Sequence, residues 1–242
     1  MSENGIRINK YLSEAGVCSR READRLVDAG RVCIDGVTAV SGAKVCDGQT
    51  VTLDGRNIKK EDEEIYLAFY KPKGIVCTTA TEENGEKIKN VVEYINYDKR
   101  IYPVGRLDQA SEGLLLMTNQ GDVMEKILRS RYGHEKEYFV KVDHKVTDEF
   151  LKKMGEGVPI LDTVTKPCKV WKEDDFSFHI ILTQGLNRQI RRMCEYFGYR
   201  VVHLRRDRIM NITLDGLKKG RYRKLTSVSY THLRAHETLS DL

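Results

Sequence analysis

"VGRLDQASEGLLLMTNQGD", residues 104–122, places one carboxylate, Asp108, between Arg106 and an unbroken apolar run, Leu114–Met117. No histidine or cysteine stands beside it, and Glu112 is the only acid nearby. The apolar run reads as a strand, and Asp122 reads as the cap of a helical period over Val123–Leu128. Outward from this stretch, "IYLAFYKPKGIVCTT" gives a strand over Ile65–Tyr70, broken at Lys71-Pro72 and restarted after Gly74. Further strands are predicted at Tyr138–Val142, Cys168–Trp171 and Phe178–Leu182, with helical periods at Phe150–Met154 and at 187–197. Strands outnumber helices and do not alternate with them. That pattern predicts an α+β fold with a mainly antiparallel mixed sheet flanked by helices.

The first 60 residues read as a separate small unit. Ile8, Tyr11, Leu12 and Ala15 share one helical face, and Ser19 with Glu22 three residues on forms a capping box for a second helix that Gly30 stops. Short strands follow around an Asp35-Gly36 turn. Arg7, Lys10, Arg20, Arg21 and Arg25 cluster on and around these helices, although acids nearly balance them in count. "RNIKKEDEE", residues 56–64, carries seven charges in nine residues and reads as a linker. The expected organisation is a domain over 5–55, a linker over 56–64, a larger domain over 65–226 and a non-native or disordered tail over 227–242.

The chain has 242 residues and a net charge of +5. The excess is uneven: between Gly185 and Lys224 stand twelve Lys/Arg against three acids, a field suited to a polyanion. Six scattered cysteines without a C-x-x-C pair argue against zinc and against a disulfide framework. His232 and His236 lack a third ligand, so no metal is expected. No segment approaches membrane-spanning length, and a cytoplasmic location is expected.

A lone Asp108 suits neither two-carboxylate glycoside hydrolysis nor a metal-dependent nuclease, and no nucleophile elbow accompanies it. It remains a carboxylate acting alone, as nucleophile or base, or a loop residue that caps a turn. On a helix from Asn187, Ile190, Met193, Cys194 and Phe197 form one face, while Arg188, Arg191 and Arg192 share the other. An arginine from that face near Asp108 would favour the ionised carboxylate and fix its direction. Tyr138 alternates with Val140 and Val142 on a strand face, as core or as a surface for a base to stack on.

These stretches carry a resemblance. "GRLDQASEGLLLMTNQGD" is similar to the catalytic motif of the RsuA-type pseudouridine synthases. "KPKG" (71–74), "KEYFVKV" (136–142) and "QGLNRQIRRMCEYFGYRVVHLRRDRI" (184–209) resemble that family's other motifs in order, the last most like its RluF branch. Residues 5–52 resemble the S4 RNA-binding domain. The resemblance implies an isomerase that turns uridine into pseudouridine in structured RNA, with 23S rRNA the expected target and 16S rRNA or tRNA the alternatives. It implies Asp108 as nucleophile, Tyr138 packed against the target base, and Arg191 paired with the carboxylate. Arg106, Lys71, Lys73, Arg188 and Arg192 would meet RNA, as would the basic residues of the first helices. No cofactor is implied. Two other readings stand beside it: a non-catalytic RNA-binding factor that kept the fold, and a metal-dependent hydrolase.

Overall fold

The computed structural model describes residues 5–60, 63–83, 85–121 and 133–226. The helical period at Val123–Leu128 and the tail from residue 227 lie outside these residues. The chain divides into two compact units, residues 1–64 with 119–121, and residues 65–118 with 122–242.

In the first unit, strand β1 (Ile6–Arg7) leads into helix α1 (Ile8–Glu14), which packs on helix α2 (Arg20–Asp28). Ile8 and Leu12 of α1 meet Ala23, Leu26 and Val27 of α2 in one apolar cluster, as the helical spacing requires. Ser19 Oγ accepts from the Glu22 backbone N–H at 3.2 Å. The other half of the expected capping box is not made, because the Glu22 carboxylate pairs with Arg25 at 3.1 Å. Strands β2 (Val32–Ile34), β3 (Val37–Thr38), β4 (Lys44–Val45), β5 (Val51–Leu53) and β6 (Arg56–Ile58) complete the unit. β4 pairs with β1, and the other four form a sheet in the order β3-β2-β5-β6.

The predicted linker therefore starts later than its charges suggest. Asp54 and Gly55 both take positive φ, the geometry of a tight hairpin, and Arg56–Ile58 return along β5. An edge strand draws its bonds from the backbone, so exposed Arg56 and Asn57 do not oppose it.

The second unit is built on one mixed sheet. Its elements are β7 (Tyr66–Lys71), the small hairpin β8 (Glu82–Glu83) and β9 (Glu86–Lys87), helix α3 (Val91–Ile95), β10 (Tyr102–Val104) and β11 (Glu112–Thr118). Then come β12 (Lys136–Val142), helix α4 (Asp148–Glu156), the hairpin β13 (Pro159–Ile160) and β14 (Thr163–Val164), β15 (Lys169–Asp174) and β16 (Ser177–Leu182). Helix α5 (Gln189–Tyr196), β17 (Val201–Ile209), β18 (Ile212–Thr213) and β19 (Tyr222–Lys224) finish it. The main sheet runs β15-β16-β12-β17-β11-β7-β19, antiparallel except where β11 meets β17 in parallel. This is the α+β arrangement expected from the strand pattern.

β11 explains its own sequence. Leu115 and Met117 pack with Leu67 and Phe69 under α3, while Leu114 and Leu116 pack with Tyr66 and Ala68 on the other face. A strand buried on both faces needs a continuous apolar run rather than an alternating one. Across the sheet, α4 and α5 lay Phe150, Met154, Ile190 and Met193 against Val140, Phe178 and Ile180. Thr147 caps α4 by accepting from Phe150 N at 3.1 Å.

Gly113 sits where β11 and β17 run parallel, at φ +120°, opposite Arg206. A Cβ there would overlap the Arg206 backbone N and O. Gly113→Ala is expected to lower stability by about 3 kcal/mol through strain and the forced separation of the strands. Urea unfolding of the whole chain checks this; an unchanged midpoint would show that the strands can part at no cost.

Candidate active site

Asp108 lies in the irregular segment between β10 and β11, and neighbouring parts of the second unit hold that segment by its backbone. Ser111 N–H donates to Asp108 O at 3.0 Å, closing a turn over the carboxylate-bearing residue. Gly74 N–H donates to Gln109 O at 2.8 Å, and Leu107 N–H donates to Cys77 Sγ at 3.3 Å. Three cations then take carbonyls of the same segment. Arg206 donates to Arg106 O at 3.4 Å, Arg191 to Ala110 O at 3.2 Å, and Lys71 to Ser111 O at 2.9 Å. Buried backbone carbonyls need partners, and charged donors make the strongest ones.

Two site expectations are corrected here. Lys71 is not an RNA contact: it is wholly buried, and its amine is shared between the Pro72 and Ser111 carbonyls. Burial pushes its pKa down, against the opposing pull of Cys77 and Asp108. Its spacing carried the signal, because the residue continues β7 on the buried face of Leu67 and Phe69. Arg191 does not pair with the Asp108 carboxylate among the described residues. Its side chain instead takes Ala110 O, Ser111 Oγ at 3.1 Å and Val201 O at 3.3 Å. Burial and then Arg188 hold the Arg191 guanidinium below its ordinary pKa, while Asp108 acts in the opposite direction. Asp108 thus acts on the Arg191 guanidinium without a direct bond.

The arginine face of the predicted helix is also smaller than expected. α5 starts at Gln189, and Arg188 precedes it in the left-handed region at φ 50°, ψ 34°. Arg192 folds back onto Asn187. Lys73, Arg7, Arg20, Arg21, Arg25, Arg106 and Arg188 are exposed; Lys10 is half-buried and pairs with Glu14 at 3.5 Å.

Asp108 opens into a cleft of about 620 Å³ that also takes in Tyr138, Arg106, Lys136, Arg188 and Arg206. Among the described residues lining it, Asp108 is the one carboxylate. Glu112 is occupied elsewhere, accepting from Lys219 at 2.9 Å and Tyr70 at 3.1 Å, with His203 at 3.2 Å. Burial raises its pKa, but these donors outweigh burial and hold it below the usual carboxylate range. No group of three His, Cys, Asp or Glu side chains among the described residues is placed to hold a metal ion.

Sequence reading missed Arg206. It is 3% exposed, donates to Leu114 O at 2.7 Å, and places its guanidinium carbon 6.0 Å from the centre of the Tyr138 ring. The available signal was alternation: Leu204 and Arg206 share the inward face of β17, an unusual place for an arginine.

The cleft thus joins one free carboxylate to an aromatic ring lying against a buried cation, on a sheet that the family model for RNA pseudouridylate synthases matches over residues 65–196. The chain belongs to the RNA pseudouridylate synthase family. It is an isomerase, and RNA is its partner. The S4 domain model matches residues 6–51, giving the RsuA-type order of an S4 domain followed by a synthase domain. The dual-specificity RNA pseudouridine synthase RluF of Salmonella typhi is 54% identical over 93% of this chain and 78% of its own. The ribosomal large subunit pseudouridine synthase B of Bacillus subtilis is 34% identical over 95% of this chain and 96% of its own. A crystal structure of a pseudouridylate synthase superposes with TM-score 0.69 at 26% identity, covering 94% of this chain and 99% of that one. Among the described residues of this family member, no helix is long and apolar enough to cross a membrane.

Arg191→Ala should leave the fold intact and loosen the Asp108 segment, lowering the single-turnover rate by on the order of 10²-fold, the cost of a small misplacement. Near-wild-type turnover would show that the Gly74, Lys71 and Arg206 bonds suffice.

Proposed function

We propose that this synthase isomerises a specific uridine in structured ribosomal RNA, 23S rRNA foremost, with Asp108 as the catalytic nucleophile. The observation that carries the reading is that, among the described residues, the cleft holds a single carboxylate, paired with no cation and lining the same space as Tyr138. A base cannot be reached inside a duplex, so the target uridine must leave its stack. The Tyr138 ring then offers a stacking surface worth roughly 1–3 kcal/mol. Asp108 acts on the sugar as the N1–C1′ bond breaks, the uracil turns, and C5 bonds to C1′. One carboxylate suffices because the uracil is both leaving group and returning nucleophile.

The exposed Arg106 and Arg188 at the cleft are suited to phosphates beside the flipped nucleotide, and Lys73 and Arg192 extend that role. Relatives named for the large ribosomal subunit favour rRNA. Others named as dual-specificity make a second RNA, tRNA or 16S rRNA, part of the same assay. We place the enzyme in the cytoplasm, where its substrate would be made, with residues 5–55 and 65–226 as its RNA-binding and catalytic domains.

The deciding experiment is a carbodiimide primer-extension map of unmodified 23S rRNA, 16S rRNA and tRNA after incubation with wild type and Asp108→Asn. A new stop with wild type alone is expected, with RNA binding retained by the variant. Residual turnover above a few per cent in Asp108→Asn would remove Asp108 as nucleophile. Separately, Arg20→Glu combined with Arg21→Glu should weaken RNA binding and flatten its dependence on salt, since fewer counterions are released. An unchanged salt slope would move the RNA footprint off the first unit.

A further inference from the structure

Isomerisation of uridine moves a proton as well as a bond: the ring loses the hydrogen on C5 and gains one on N1. On the reading of the cleft given above, a group must therefore supply one proton and collect another within reach of the base. Among the described residues, four cations line the cleft. Arg106 and Arg188 are exposed at its rim. Arg206 is buried, with Nε on Leu114 O and one terminal nitrogen on Arg106 O; its other terminal nitrogen is unpartnered but closed to solvent. A guanidinium, moreover, does not release its proton in a protein. Lys136 alone among these four is both sheltered and able to titrate.

Lys136 begins β12, two residues before Tyr138 and on the same strand face. It is half-buried, and its amine makes one long bond, to His134 O at 3.4 Å. The amine is therefore held weakly, on a residue that lines the cleft the base would enter. Its cross-strand neighbours, Leu182 of β16 and Ile209 of β17, are apolar. Among the described residues, the charged or titratable groups around that space are Tyr138 on its own strand, Arg206 from β17, Asp108 and Arg106 from the segment after β10, and Arg188 from the turn before α5. Burial and then Arg206 push the Lys136 amine down to about 8, so both its protonation states are accessible near neutral pH.

We propose that Lys136 is a catalytic residue that carries the proton exchanged between C5 and N1 of the uracil. As the C1′–N1 bond breaks, its electron pair leaves with the ring and the Lys136 ammonium protonates the departing base. After C5 has bonded to C1′, the C5 hydrogen leaves as a proton to the now neutral amine, and its electrons return to the ring. Lysine is regenerated and no other reactant is consumed.

The test uses the full chain with the RNA fragment identified by the primer-extension map, carrying uridine, 5-deuterouridine or 5-fluorouridine at the target. Lys136→Met should convert uridine on the order of 10²-fold more slowly, with little change in KM. It should be slowed further by deuterium at C5, where wild type is not. 5-Fluorouridine has no C5 proton to remove and its base is a better leaving group, so single-turnover cleavage of its C1′–N1 bond should fall much less. The alkaline decline of kcat near pH 8 in wild type should be missing from the variant. Lys136→Arg, which keeps the charge but cannot shuttle a proton, should show the same isotope effect and serves if Lys136→Met fails to fold. Equal losses on uridine and 5-fluorouridine without an isotope effect would overturn the proposal, as would an isotope effect that arises in Tyr138→Phe instead. Asp108→Asn should lose both bases alike; if it does not, the nucleophile assignment fails while the Lys136 result still stands or falls by its own isotope effect.

Discussion

The second unit depends on the holding of residues 106–111 by their backbone carbonyls. An irregular segment between two buried strands carries carbonyls that neither strand can satisfy. Lys71, Arg191 and Arg206 supply charged donors to three of them, from three distant parts of the chain. Because these cations are spent on the backbone, none of them pairs with the Asp108 carboxylate among the described residues.

That arrangement places strict demands on the sheet. β11 must enter immediately after the held segment and is buried on both faces, so its residues are apolar throughout. β17 must run beside its first residues closely enough for Arg206 to reach both Leu114 O and Arg106 O, and only a glycine at 113 permits the approach. Once there, the Arg206 guanidinium also lies against the Tyr138 ring, where attraction between cation and π-face can fix the ring's angle. Packing, electrostatics and the orientation of the cleft's aromatic wall therefore share one buried side chain.

The first unit follows a simpler logic. Two short amphipathic helices and small strands close over a core of nine buried apolar residues, leaving Arg20, Arg21 and Arg25 outside. Several basic residues there are paired, as Arg25 is with Glu22 and Arg31 with Asp54. Near balance in net charge is compatible with an RNA surface when exposed cations such as Arg20 and Arg21 stand together at one helix start.

Much was legible in the residue order. Apolar periods located β7, β11, β12, β16, α4 and α5 to within a few residues, because burial on a helix or strand leaves a spacing that needs no tertiary knowledge. Ordered motifs around Asp108, Tyr138 and Arg191 carried the family resemblance, since motif order is read along the chain without tertiary knowledge. What residue order could not decide was the partner of each charge. Lys71 looked like a surface cation and is buried; Arg191 was expected on a carboxylate and bonds carbonyls; Arg206 looked like one more basic residue and forms a wall of the cleft. A cation's role is set by what lies within about 3 Å of its nitrogens, and here the carbonyls that Lys71, Arg191 and Arg206 take in the Asp108 segment and at Leu114 come from residues 40 to 100 positions away, brought together only by tertiary packing of the strands and α5.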